Sequence, residues 1–215
     1  MASTSPGPVT RRALGALILG AAAAPAFAAT RPRVVTMLGD SITAGYGLPA
    51  RDALPARLEA VLARLTPGAR VRGAGVSGDT SAGGAARVDF SVQNDTAVCV
   101  VALGGNDLLR GLDPKQTQAN LDRIIRRLRA RNITVVLAGL TAPTAIGRGY
   151  AREFGAVFPT LAQQHHVALY PNLLAGVAGE PRLNQRDGIH PNAAGVTVIA
   201  ARLAPVVAKA LAGRR

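Results

Sequence analysis

Three side chains in this sequence have the chemistry of a proton relay. One is the serine of Gly39-Asp40-Ser41-Ile42; the others are the aspartate and histidine of Asp187-Gly188-Ile189-His190-Pro191. A serine hydroxyl is a poor nucleophile until an imidazole takes its proton and a carboxylate holds that imidazole in the right tautomer. Asp187 and His190 stand three residues apart, so one turn of chain brings the carboxylate to ring Nδ1 and leaves Nε2 facing the serine. The orienting pair is therefore local, and only Ser41 has to arrive from elsewhere. Each piece also has an ordinary structural reading: Gly-Asp-Ser after a strand can be a turn, and Asp187 can cap a helix beginning near Pro191.

Acyl transfer needs donors aimed at the oxygen on which negative charge grows. Val76-Ser77-Gly78-Asp79-Thr80 and Gly104-Gly105-Asn106-Asp107 offer them, through the backbone N–H groups of Ser41 and Gly78 and the side-chain amide of Asn106. A glycine at 78 permits close approach of backbone to substrate. Asn106 with Gly105 can equally be a turn. Asp40, Asp79 and Asp107 recur beside these residues and are expected to hydrogen-bond loop backbone and stiffen it.

These residues need a scaffold that gathers loops. Five apolar, β-branched runs, at 34–38, 69–76, 97–103, 133–140 and 167–170, lack alternation and read as strands buried on both faces of a parallel sheet. Between them lie helical stripes: Leu54, Leu58, Leu62 and Leu65; Leu121, Ile124, Ile125 and Leu128; Phe154, Val157, Phe158 and Leu161. Asp113-Pro114 supplies a cap and a first-turn residue, and a last helix follows Pro191 to about Leu211, with Val196, Ile199, Leu203 and Val207 inward. The alternation predicts one three-layer α/β domain over residues 29–215. In an open parallel sheet ligands bind beyond the carboxyl ends of the strands. Ser41, Gly78 and Asn106 each follow a predicted strand and fall on that rim, and the Asp187/His190 loop follows the fifth strand and can close over it.

The strings GDSITAGYGL, GVSGDTSAGG, LGGNDLLRG and DGIHP together resemble the SGNH, or GDSL, hydrolase superfamily, whose four blocks contribute Ser, Gly, Asn and His. They are most similar to its bacterial branch of arylesterases, acyl-CoA thioesterase I and lysophospholipase, and the resemblance covers residues 33 to 211. It implies a flavodoxin-like sheet of about five parallel strands and an acyl hydrolase that uses neither metal nor other cofactor. It makes Ser41 the nucleophile, Gly78 and Asn106 partners of Ser41 in the oxyanion hole, and Asp187 and His190 the rest of the triad. Leu108, Thr141, Ala142 and Pro143 are expected to contact the substrate. The chain departs from the family pattern at Leu140-Thr141-Ala142-Pro143-Thr144, where a basic or bulkier residue often precedes a Leu-Pro or Ala-Pro turn, and at Gly73, where asparagine is often found. Both departures bear on the acyl pocket and leave the triad untouched.

Composition bounds the setting. Arg11-Arg12, an apolar run from Ala13 to Ala24, then Pro25 and Ala26-Phe27-Ala28 have the layout of a secretory signal cleaved after Ala28. The run is short for a retained membrane anchor, which needs about 20 residues, and the paired arginines are compatible with twin-arginine export. The expected localisation is periplasmic or secreted. Removing residues 1–28 takes two of the 25 basic side chains and none of the 12 acidic ones, leaving +11. That charge favours anionic surfaces such as phospholipid head groups. Nucleic acid is not expected: Arg123, Arg126, Arg127, Arg129 and Arg131 read as a solvated helix face, and only 3% of residues are aromatic. Cys99, the single cysteine, reads as a buried thiol, and His165-His166 as surface or helix-cap residues. No Gly-x-Ser-x-Gly elbow surrounds Ser41, which disfavours an α/β-hydrolase.

The expected substrate is a small-molecule or lipid ester. Thioesters of coenzyme A are scarce outside the cytoplasm, so export favours oxygen esters. The rival within hydrolases is a carbohydrate O-acetylesterase, against which stand the absence of Trp and the presence of only three Tyr. The rival from another class is a binding module that has kept the fold without turnover.

Overall fold

The computed structural model describes residues 1–5, 7 and 33–213. The signal-like segment, residues 11–28, lies outside the described residues. Residues 1–5 and 7 belong to a unit of their own, Met1–Arg31, and carry no helix or strand. The sheet and its helices form the unit Pro32–Arg215.

Five parallel strands make the sheet: β1 (Arg33–Gly39), β2 (Ala69–Gly75), β3 (Thr96–Ala102), β4 (Thr134–Ala138) and β5 (Ala168–Tyr170), in the order β2-β1-β3-β4-β5. This is the flavodoxin-like order, and its switch point lies between β1 and β3, where connections leave in opposite directions and a crevice opens beyond the strand ends. β1 and β3 form the centre. Val35, Met37, Leu38, Val98, Cys99, Val100 and Val101 are fully buried, as a strand covered on both faces requires. Burial pushes the Cys99 thiol up to about 12, so it packs as a small apolar side chain.

The layers follow from the helical stripes. α2 (Leu54–Leu65) and α7 (Ala193–Ala212) pack together on one face; α3 (Ser81–Ser91), α5 (Pro114–Ala130) and α6 (Arg148–His165) pack in series on the other. Two short helices, α1 (Ser41–Ala44) and α4 (Gly105–Leu109), leave the ends of β1 and β3. Leu54, Leu58 and Leu62 are buried, but Leu65 is 51% exposed, because α2 ends there and the chain turns at Thr66. The stripes of α5, α6 and α7 are buried as expected. Asp113 caps α5 by accepting from the Lys115 N–H, with Pro114 at the first turn. The arginines of α5 lie on its exposed side, where Arg126 pairs with Asp122 and Arg127 with Asp89. Among the described residues α7 alone is long and apolar enough to cross a membrane; here Val196, Ile199, Leu203 and Val207 are buried.

α3 carries no apolar stripe, and composition gave it little signal. Its buried residues are Ser81, Gly84, Ala85 and Val88. It sits close because they are small: a Cβ on Gly84 would lie 2.2 Å from Leu103 Cδ1. Gly73 has a similar cause, since a Cβ there would stand 3.0 Å from Pro55 Cγ.

The paired histidines divide. His166 caps α6 in the left-handed region (φ 49°), as expected of a helix-end residue. His165 is not at the surface: it is buried, its Nε2 2.7 Å from Asp122 Oδ1. A carboxylate on the neighbouring α5 supplies the polar partner that burial demands.

Candidate active site

β1 delivers Ser41. The strand ends at Gly39, Asp40 caps the four-residue α1 by accepting from the Ile42 N–H at 3.0 Å, and Ser41 is the first helical residue. Its N–H is one of the unsatisfied donors at a helix start, and among the described residues no acceptor meets it.

The loop after β5 delivers the other two side chains. Asp187 Oδ1 accepts from the backbone N–H groups of Ile189 (2.9 Å) and His190 (3.0 Å), folding the segment into a tight turn. Asp187 Oδ2 then accepts from His190 Nδ1 at 2.6 Å, and Ser41 Oγ donates to His190 Nε2 at 2.9 Å. Ser41, Asp187 and His190 are thus joined in one continuous line. The last helix is capped by Asn192 and not by Asp187. The bonds from His190 and Ile189 hold the Asp187 carboxyl down at about 2, so it stays ionised where an imidazole titrates. The Tyr46 ring lies against the imidazole, centroids 4.6 Å apart.

The donor side is built by β2, β3 and α3. Gly78 sits at φ +84°, a conformation that favours glycine and turns the chain after β2 toward the crevice. Asn106, in α4 after β3, donates from Nδ2 to the carbonyl of Asp79 at 2.8 Å. Arg87 braces this corner from α3, donating to Asp79 Oδ2, Ala74 O and Gly39 O at 2.6, 2.9 and 2.8 Å. Sequence reading missed Arg87 together with its helix. Asp79 therefore pairs with an arginine instead of loop backbone. Asp107 is buried and accepts from Ser81 N–H and Oγ and from Thr117 Oγ1, tying α3, α4 and α5 together. Asp40 is buried beside Ser41, and that burial raises its carboxyl to about 6, against lowering by the Ile42 N–H and the nearby His190.

A cavity of about 350 Å³ opens at this point, lined by Ser41, Gly78, Asn106 and His190. The remaining wall is mostly apolar, with Ile42, Leu108, Leu109, Leu140, Leu173 and Leu174 prominent. Of the expected contacts, Leu108 and Thr141 line it. Ala142 and Pro143 do not, a correction with a packing cause: Ala142 turns into the core, and Pro143 is exposed at the start of a 3-10 turn, Thr144–Ile146. Their place in the wall is taken by the segment after β5, including Asn172, Leu173, Leu174 and Ala178. A larger open groove of about 950 Å³ lies at the other end of the sheet, among Arg129, Ile133, Val167 and Lys209, away from Ser41 and His190.

A serine–imidazole–carboxylate line at a helix start, beside an apolar cavity, is the equipment of acyl transfer to serine. A sequence model of the GDSL-like lipase/acylhydrolase family matches residues 37–198, spanning both arms of this site. The chain belongs to that family.

Its chemistry is the hydrolysis of ester bonds. Among its relatives is the Esterase TesA of Pseudomonas aeruginosa, 40% identical over 160 residues that cover 74% of this chain and 80% of that one. The Thioesterase 1/protease 1/lysophospholipase L1 of Escherichia coli K12 is 38% identical, covering 77% and 79%. Among solved structures, that of AlinE4, an SGNH-hydrolase family esterase, superposes with a TM-score of 0.71 at 42% identity, covering 84% of this chain and 97% of that one.

Proposed function

We propose that this member of the family is an exported serine esterase of lipid, acyl or aryl oxygen esters, with Ser41, His190 and Asp187 as its catalytic triad. The observation that carries the reading is the unbroken line from Ser41 Oγ to His190 Nε2 (2.9 Å) and from Nδ1 to Asp187 (2.6 Å) at the mouth of an apolar cavity. Ser41 Oγ attacks the ester carbonyl as His190 Nε2 takes its proton, and Asp187 stabilises the imidazolium. Charge on the former carbonyl oxygen meets the N–H groups of Ser41 and Gly78 and the Asn106 amide. Collapse expels the alcohol, which leaves with the proton from His190. Water, deprotonated by the same imidazole, then releases the acid from the acyl-serine and restores Ser41.

The wall supports apolar acyl or aryl groups over sugars, since a cavity of this size contributes mainly hydrophobic contact with a few polar groups at one end. The relatives named for esterase, thioesterase and lysophospholipase activity support the same range, and sulfur esters fit the same machinery. The layout of residues 11–28 supports export.

The test is hydrolysis of p-nitrophenyl esters from acetyl to palmitoyl, with phenyl acetate, a lysophospholipid and an acetylated xylan, by the wild-type protein and Ser41→Ala. Turnover of acyl or aryl esters that is lost in the variant establishes the reading; near-wild-type turnover by Ser41→Ala overturns it. Mass spectrometry of protein recovered from the periplasm tests export, with Ala29 expected at the new N-terminus.

A further inference from the structure

The triad is assembled from two loops that 149 positions of sequence separate, and hydrogen bonds inside either loop cannot set the gap between them. Among the described residues, Asp187 hydrogen-bonds only within its own turn. The bridge is made elsewhere, by a side chain two residues before Asp187. Gln185 Nε2 donates to the carbonyl of Tyr46, on the turn that follows Ser41, at 2.8 Å. It also donates to the carbonyl of Pro191, directly after His190, at 3.0 Å. Its own backbone N–H donates to the carbonyl of His190 at 2.7 Å. One hydrogen of the primary amide thus crosses to the loop after Ser41, while the other stays inside the histidine loop and holds the amide in place.

The receiving side is shaped for it. Gly47, next to Tyr46, has φ +71°, and a Cβ there would stand 2.3 Å from Gln185 Oε1. Only glycine combines that dihedral with room for the amide. Tyr46, whose carbonyl is bound, also lays its ring on the His190 imidazole. Gln185 therefore acts at two points, the position of the histidine loop and the seating of the ring that flanks the imidazole.

We propose that Gln185 is the positioning residue that sets the Ser41–His190 contact, with Gly47 as the space that admits it. It touches no substrate atom; it fixes the distance across which the proton moves. A displacement of about 1 Å between reacting groups costs about 10²-fold in rate. The inference rests on the serine-esterase reading above.

The experiment uses the full chain with Gln185→Met, which keeps length and loses both donors, and Gln185→Glu, which keeps shape and loses them. Expected for both is a fall in kcat of about 10²-fold with little change in KM. The rate of Ser41 labelling by a p-nitrophenyl phosphonate falls in step, and the thermal midpoint stays within a few degrees. The low-field Nδ1 proton of His190 persists in the NMR spectrum, because its bond to Asp187 lies inside one loop. A second measurement is a double-mutant cycle. Gly47→Ala lowers kcat in the Gln185 background and lowers it much less in Gln185→Ala, where the amide it collides with is gone.

Wild-type kcat in Gln185→Met, loss through KM alone, or strictly multiplicative effects of Gly47→Ala and Gln185→Ala would each overturn the proposal. If Ser41→Ala is inert while Gln185→Met is fully active, this inference falls and the esterase reading stands. If Ser41→Ala keeps turnover, both fall.

Discussion

The side-chain amide of Asn106 is anchored to the backbone of Asp79: Nδ2 donates to that carbonyl at 2.8 Å. A primary amide has two hydrogens, so one is committed to the protein and the other is left for a ligand in the cavity that Asn106 lines. The donor is therefore oriented before substrate arrives, and no reorganisation is needed as charge develops.

Asn106→Ala is expected to lower kcat by about 10²- to 10³-fold with KM nearly unchanged, the behaviour of a group that acts mainly on the transition state. Steady-state kinetics on a soluble p-nitrophenyl ester decide it. A rise confined to KM makes Asn106 a binding residue instead.

Asp187→Asn keeps the turn's shape but removes the charge that fixes the imidazole tautomer, and kcat is expected to fall by about 10⁴-fold. The Asp187 carboxyl is held at about 2, below its ordinary value. Its contribution to stability is therefore present above about pH 4 and lost only as pH falls through about 2. Since its side chain is 37% exposed, that contribution is small. The kcat/KM of the wild type should show no inflection from Asp187 above about pH 4, which a pH–rate profile checks.

Asp40 runs the other way. Burial raises its carboxyl to about 6, so the fold holds a proton that the unfolded chain has released. Stability from this group is present below about pH 4 and is lost as pH rises to about 6. Asp40→Asn can still accept from the Ile42 N–H and lacks that slope. It should gain stability over the wild type between pH 4 and pH 8 by an amount on the order of 3 kcal/mol, measured by urea denaturation at both pH values. Its charge also interacts with His190 and Asp79. A pH-independent stability difference between the two proteins refutes the effect.

Asp107→Ala strands the Ser81 N–H, the Ser81 hydroxyl and the Thr117 hydroxyl in the interior. Losing bonds from a buried charged acceptor is expected to cost about 3 kcal/mol or more. A shift in the urea midpoint measures it, and a loss under 1 kcal/mol would mean that α3, α4 and α5 are held by packing alone.

Legibility in the sequence tracked how local each cause was. Asp187 and His190 could be paired on paper because three residues separate them, and the strands could be found because burial on both faces leaves an unbroken apolar run. α3 was hidden because its buried face is built from Ser81, Gly84 and Ala85, which leave no hydrophobic period. Arg87 was hidden with it. His165 looked superficial because its partner, Asp122, is supplied across a helix pair. At positions 141–143 neighbouring residues face the cavity, the core and solvent in turn, an alternation that the order of residues alone does not reveal. The resemblance pointed to Ser41, Asp187 and His190, which the fold brings together, while Arg87 and Gln185, which brace the loops around them, were visible only in three dimensions.

β5 is the sheet's thin margin: three residues with one neighbour, followed by the long segment that carries Asp187, His190 and much of the cavity wall. β1, which carries Ser41, is braced on both sides. On warming, the two should part company: residues 171–192 loosen first, while the central strands are still paired. Catalytic inactivation would then precede melting, and the span between the two temperatures becomes a gauge of how firmly that margin is fastened.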